Sequence, residues 1–137
     1  MMQFYFLSIV LNAASGGALL LTDGENTPEE EGRFLPAFLW RETPRLVLGA
    51  LTVLTALFKL LSPLRGDIPI LGDLVPAAAG LAAGFLLVFE YYRRRTTVTD
   101  EKVEKFSALA DKYRKFAGFA ALASSALHFL FPGVLFL

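Results

Sequence analysis

The chain has no cysteine and only one histidine, His128, among its 137 residues. The first absence excludes disulfides, thiolate metal sites, iron–sulfur ligation and a cysteine nucleophile. The second excludes, within one chain, bis-histidine haem ligation, a histidine-rich zinc site and the HExxH pattern. Net charge is missing too: 13 basic and 13 acidic residues cancel, so global charge does not point to nucleic acid. No Walker A, GxSxG, Rossmann fingerprint or paired-carboxylate spacing occurs. The expectation is a non-enzymatic protein with no cofactor and no metal.

Apolar residues, by contrast, are abundant. They make up 55% of the chain, with thirteen Phe among them. A soluble domain of this size could not hide so much apolar surface, so a lipid solvent is the simpler account. Four stretches approach the ~20 residues a membrane helix needs: about 4–22, 44–61, 74–92 and 116–137. The first lacks the basic n-region of a signal peptide. The expected fold is one all-α integral membrane domain over residues 1–137, a bundle of four transmembrane helices.

Charge distribution orients it. The connections 23–43 and 93–115, with the adjoining Arg45, carry eleven Lys and Arg, whereas the opposite side carries only Lys59 and Arg65. The positive-inside rule places both connections in the cytoplasm and both termini outside, in the cytoplasmic (inner) membrane. Trp40 and the run Arg93, Arg94 and Arg95 suit lipid head-group anchors. Residues 23–43 hold six acids against two bases, and 93–115 eight bases against four acids, so the two are expected to dock. In 93–115, Thr99 suits an N-cap, and Val103, Phe106, Leu109, Ala110, Tyr113 and Phe116 follow at helical spacing. One continuous helix is expected from about Asp100 to about Phe131, so the fourth helix, like the third, extends into the cytoplasm. Its apolar stripe would pack on the 23–43 segment or on another protein.

SPLRGDIPILGDLVPAAAG, residues 62–80, separates the second and third spans. Ser62-Pro63 ends a helix, Arg65-Gly66-Asp67 reads as a turn, and Asp73 suits an N-cap with Pro76 in the first turn behind it. A hairpin connection accounts for each special residue. Lys59, Arg65, Asp67 and Asp73 nonetheless lie near one membrane face, where ionisable groups are functional candidates. Lys59, close to a helix end, is expected to snorkel.

Small residues then recur at Gly72, Pro76, Gly80 and Gly84. Gly80-Leu81-Ala82-Ala83-Gly84 is a GxxxG match, which predicts close helix packing. Ala117, Ala121 and Ser125 form a related face on the fourth helix. Ser8, Asn12, Ser15 and Gly16 share a face of the first, read either as helix–helix contact or as a polar lining. Glu90 is read as an interfacial residue pairing with a nearby arginine, or as a proton-carrying carboxylate.

Two functions follow from these residues. The leading one is a non-enzymatic accessory or scaffold subunit of a membrane assembly, bound to other membrane subunits or to copies of itself, with no nucleic-acid partner. The alternative is a homo-oligomeric channel or transporter with a polar pathway through the bundle, using Asn12, Glu90 and His128. The intramembrane polar residues read as sparse and scattered, which favours the first.

Overall fold

The computed structural model describes residues 2–21, 41–61, 74–97 and 100–131. Among them are four α-helices and no strand: α1 (Met2–Leu21), α2 (Glu42–Leu61), α3 (Leu74–Arg95) and α4 (Glu101–Leu130). The all-α class read from the sequence is the class observed. Two helices, α2 and α3, are long and apolar enough to cross a membrane; the apolar part of α1, Tyr5–Leu21, is shorter.

Local chemistry accounts for the helix ends. Helix α2 starts at Glu42, ahead of the expected Thr43-Pro44 boundary. Pro44 lies within its first turn, where a missing N–H breaks no hydrogen bond. Pro76 has the same place in α3, which runs on past residue 92 to end in Arg93, Arg94 and Arg95, cations suited to the negative end of the helix dipole. At α4 the expectation of Thr99 as cap and Asp100 as first helical residue is corrected. Asp100 is itself the N-cap, extended at φ −107° and ψ 133°, and its carboxylate accepts from the Lys102 amide at 3.1 Å. The helix closes when the Phe131 amide donates to the Leu127 carbonyl at 2.9 Å, immediately before Pro132. Its 30 residues span about 45 Å.

The most extensive helix contacts are α2 on α3 and α1 on α4. Each pair closes on glycine. A methyl group added to Gly84 would fall 2.7 Å from the Gly49 carbonyl oxygen, and one on Gly16 would fall 2.8 Å from that of Gly118. Ala18, Leu19, Ala83, Leu87, Ala117 and Ala121 form the buried apolar cluster between the pairs. Small side chains let helices approach within van der Waals contact, the geometry that GxxxG-type sequences permit.

The first half of α4 finds part of its partner on α3. Phe106 lies edge-on to Phe89 and Phe85, with ring centres 4.7 and 5.8 Å apart, a favoured aromatic geometry. Ala110 is buried, but Leu109, Tyr113 and Phe116 are exposed. The stripe read from the sequence is therefore split between a packed part and an open part.

Candidate functional site

Each helix turns a face of small or polar residues inward, at the three-and-four spacing of an α-helical stripe. On α1 this face is Ser8, Asn12 and Ser15; on α2 it is Arg45, Gly49, Thr52 and Ala56. Helix α3 contributes Gly80, Ala83, Gly84 and Leu87, and α4 contributes Arg114, Ala117, Ala121, Ser125 and His128. Polar side chains from α1, α2 and α4 thereby meet in the interior, and Glu90 of α3 joins them at one end. This corrects the expectation that they are scattered.

At one end Lys59 and His128 meet. Lys59 Nζ lies 3.0 Å from His128 Nε2 and 3.4 Å from Ser8 Oγ. The Tyr5 hydroxyl donates to the His128 carbonyl, and the Tyr5 and imidazole rings lie 4.4 Å apart. His128 is only 2% exposed. A contact between two basic nitrogens at this distance needs one to donate and the other to accept. Lys59, near the end of α2, is half-buried, and its ammonium lies beside Ser8 and His128 between the helices.

Midway, Asn12 Nδ2 donates to the Pro76 carbonyl at 2.9 Å. Its Oδ1 rests over Gly80, where a methyl group would fall 2.6 Å away. Ser15 donates to the Leu11 carbonyl and lies 3.4 Å from Thr52 Oγ1, which donates to the Leu48 carbonyl at 2.7 Å. Ser125 donates to the Ile9 carbonyl at 2.8 Å. Backbone carbonyls of the same or a neighbouring helix thus satisfy these interior groups.

At the other end Glu90 bridges two arginines. Its Oε2 is 2.5 Å from Arg45 Nη2 and its Oε1 is 2.7 Å from Arg114 Nε. All three side chains are nearly buried. Beside this triad a cleft is lined by Glu42, Arg45, Leu87, Glu90, Tyr91 and Arg94. Glu42 lies 3.7 Å from Arg94 and 3.6 Å from Arg95, while Arg93 pairs with Asp111 at 2.8 Å. Arg45 and Lys59 are fourteen positions apart on α2, so the two charged clusters are separated by about 21 Å along the helix axis.

The sequence-derived candidates fall as follows. Asn12, Lys59, Glu90 and His128 all lie on the inward faces just described. Gly80 meets Asn12 and Ala56, Gly84 meets Gly49 and Val53, and Ala117, Ala121 and Ser125 are buried on α4. Arg93, Arg94 and Arg95 sit at the end of α3. Trp40, Asp67, Gly72 and Asp73 lie outside the described residues, as does the acidic part of 23–43 that was expected to dock. Sequence reasoning missed Gly49, Thr52 and Arg114. The signal was there: Arg45, Gly49, Thr52, Ala56 and Lys59 repeat at helical spacing, as a period of small and polar residues rather than of apolar ones.

The class defined by these features is an all-α bundle, with four helices among the described residues and a polar, glycine-packed interior. The chain belongs to the protein family whose model matches its residues 1–128. It is 36% identical over 137 residues to an uncharacterized protein of Treponema pallidum (strain Nichols), covering 100% of both chains. No solved structure matches it.

Proposed function

We propose that the chain is an integral membrane protein of the cytoplasmic membrane, with four spans and both termini on the non-cytoplasmic side, whose polar interior carries protons. The membrane part is supported by an inverted distribution of side chains. Phe116 is 72% exposed, and Phe6, Phe119 and Phe129 are similarly open, whereas Ser15 is fully buried and Asn12, Thr52 and Ser124 are nearly so. Water would penalise that arrangement, since burying apolar area is the main driving force there. Hydrocarbon solvates the phenylalanines and leaves polar groups to find each other inside.

The observation that carries the transport reading is the pair of charged clusters, Lys59–His128 and Arg45–Glu90–Arg114, inside one chain about 21 Å apart along α2. Both fit within a ~30 Å hydrocarbon layer. Serine, threonine and asparagine suffice to hold membrane helices together. Charged groups at that depth are expensive, and they mark ion and proton pathways by default. The glycine contacts leave no room for a hydrated ion between α2 and α3, which favours protons passed along hydrogen-bonding groups. The protein's role is then transport, non-enzymatic and without a cofactor.

Reconstitution into vesicles with an internal pH-sensitive dye tests this. The wild-type protein is expected to collapse an imposed pH gradient several-fold faster than protein-free vesicles. Lys59→Met and His128→Leu, with helicity retained, are expected to return the rate to the protein-free level. A wild-type rate equal to that of empty vesicles would end the transport reading.

The accessory reading is favoured by one specific feature, the open stripe of Leu109, Tyr113 and Phe116 on α4. It takes the lead if no flux is seen and native mass spectrometry, after gentle extraction, finds this chain with different polypeptides.

A further inference from the structure

We propose that the chain is a tandem repeat of one two-helix hairpin, and that Lys59 and His128, the same position in its two copies, share one proton on the axis between them. The repeat stands apart from transport. The axial site deepens the proton-transport reading, and its use in transport rests on that reading.

The repeat shows first in the contacts. Gly16 of α1 closes on Gly118 and Leu122 of α4, and Gly118 in turn closes on Leu20. Gly84 of α3 closes on Gly49 and Val53 of α2, and Gly49 in turn closes on Val88. Gly16 and Leu20 lie 68 positions before Gly84 and Val88, while Gly49 and Val53 lie 69 before Gly118 and Leu122. Carried by these two steps, each of these α1–α4 contacts becomes an α2–α3 contact.

The residue types recur along with the contacts. Glu42, Arg45, Thr55 and Lys59 on α2 stand 69 positions before Asp111, Arg114, Ser124 and His128 on α4. Acid, arginine, hydroxyl and base thus follow one another in the same order. Leu19 and Leu87, 68 apart, are 0% and 1% exposed, so the same position of α1 and α3 fills the core. Helices α2 and α4 also end at equivalent residues, Leu61 and Leu130.

Two copies running in the same direction through a membrane are related by an axis along its normal, and ion sites collect at the repeat interface. Equivalent residues of a two-fold pair touch each other only on that axis. Lys59 Nζ and His128 Nε2 do so at 3.0 Å. Midway, Asn12 rests over Gly80, its counterpart 68 positions on. At the far end the equivalent Arg45 and Arg114 converge on one carboxylate, Glu90.

Two basic nitrogens this close hold one proton in the gap, bonded to one and accepted by the lone pair of the other. A second proton would set like charges against each other where the dielectric is low. Ser8 Oγ, 3.4 Å from Nζ, and the Tyr5 ring, 5.8 Å away, face the pair from α1, an acceptor and a π-face suited to a single cation. The duplication accounts for the arrangement: a site on the axis receives the same base from each copy and one proton for both.

Solid-state 15N NMR of the whole chain in lipid, labelled at lysine and histidine nitrogens, tests the site. The single histidine makes its assignment unique. The expected result is a coupling between the imidazole Nε2 and one lysine Nζ, carried through their hydrogen bond. Its absence, whether the nitrogens lie near or apart, overturns the shared proton. Exchanging the bases, Lys59→His with His128→Lys, tests equivalence: the coupling should persist, and its loss with helicity retained overturns the repeat. If the exchanged protein does not fold, Lys59→His alone decides. Its two imidazoles should couple to each other, and failure to couple or to fold overturns the proposal. Packing gives a separate check, since Gly16→Ala and Gly84→Ala, at equivalent positions, should lower the unfolding temperature equally. A loss confined to one of them refutes the repeat. None of these readouts uses flux, so a protein that moves no protons can still pass and one that moves them can still fail.

Discussion

Consider replacing Gly84 by alanine. The added methyl carbon would lie 2.7 Å from the Gly49 carbonyl oxygen, 2.9 Å from Val53 Cγ2 and 3.0 Å from the Val53 amide nitrogen. Two of these atoms are backbone, so no side-chain rotation relieves the clash. A comfortable C···O approach is about 3.3–3.6 Å, so α2 and α3 must separate locally by roughly 0.6–0.9 Å. Overpacking of this kind destabilises by about 1–3 kcal/mol. Against it stands a gain of about 1 kcal/mol from replacing glycine inside a helix. The net expectation is a loss of about 0–2 kcal/mol. Gly17→Ala provides the control, since a methyl group there meets nothing within 4 Å. That variant should keep the whole helix gain of about 1 kcal/mol. Both substitutions change the unfolded chain alike, so their difference, about 1–3 kcal/mol, isolates the α2–α3 contact. Unfolding in detergent, followed by helical circular dichroism, measures it. If Gly84→Ala proves as stable as Gly17→Ala, the close glycine packing of α2 on α3 is refuted.

Three further perturbations follow from the interior and from the cap. Glu90→Ala leaves Arg45 and Arg114 buried without their shared carboxylate and should destabilise by about 3–5 kcal/mol; detergent unfolding reads this, and a loss below 1 kcal/mol would mean that the triad is solvated. Asn12→Leu removes the 2.9 Å bond to the Pro76 carbonyl and should lower stability by roughly 0.6–1.7 kcal/mol, measured in the same way. Asp100→Ala should cost about 1 kcal/mol as a lost N-cap, while Asp100→Asn, which still accepts the Lys102 amide, should be nearly neutral; equal losses in both would move the cap elsewhere.

Much of the fold was legible in the residues, and the reasons are local. Proline at the third position of α2 and of α3, and acids ahead of α4, mark helix starts because only there does a missing N–H or a first-turn carboxylate fit the backbone. The one-residue shift of the α4 cap from Thr99 to Asp100 shows the limit of such signals, since adjacent polar residues compete for the same amides. Glu90 pairing with arginine was readable as a type of contact. That its partners are Arg45 and Arg114, from two different helices, was not, because those positions lie 45 and 24 residues away.

By itself, then, the sequence determined the helical class, the approximate helix limits and the glycines that allow close approach. Each depends on backbone geometry or residue size within a few positions. Only the tertiary structure decided which faces meet. It set the Lys59 ammonium beside His128, joined α2 to α3 through Gly49 and Gly84, and gathered scattered polar residues into one interior. Those outcomes depend on helix rotation and on pairing among four helices, and when inward faces are small and polar, no apolar stripe along the chain announces them.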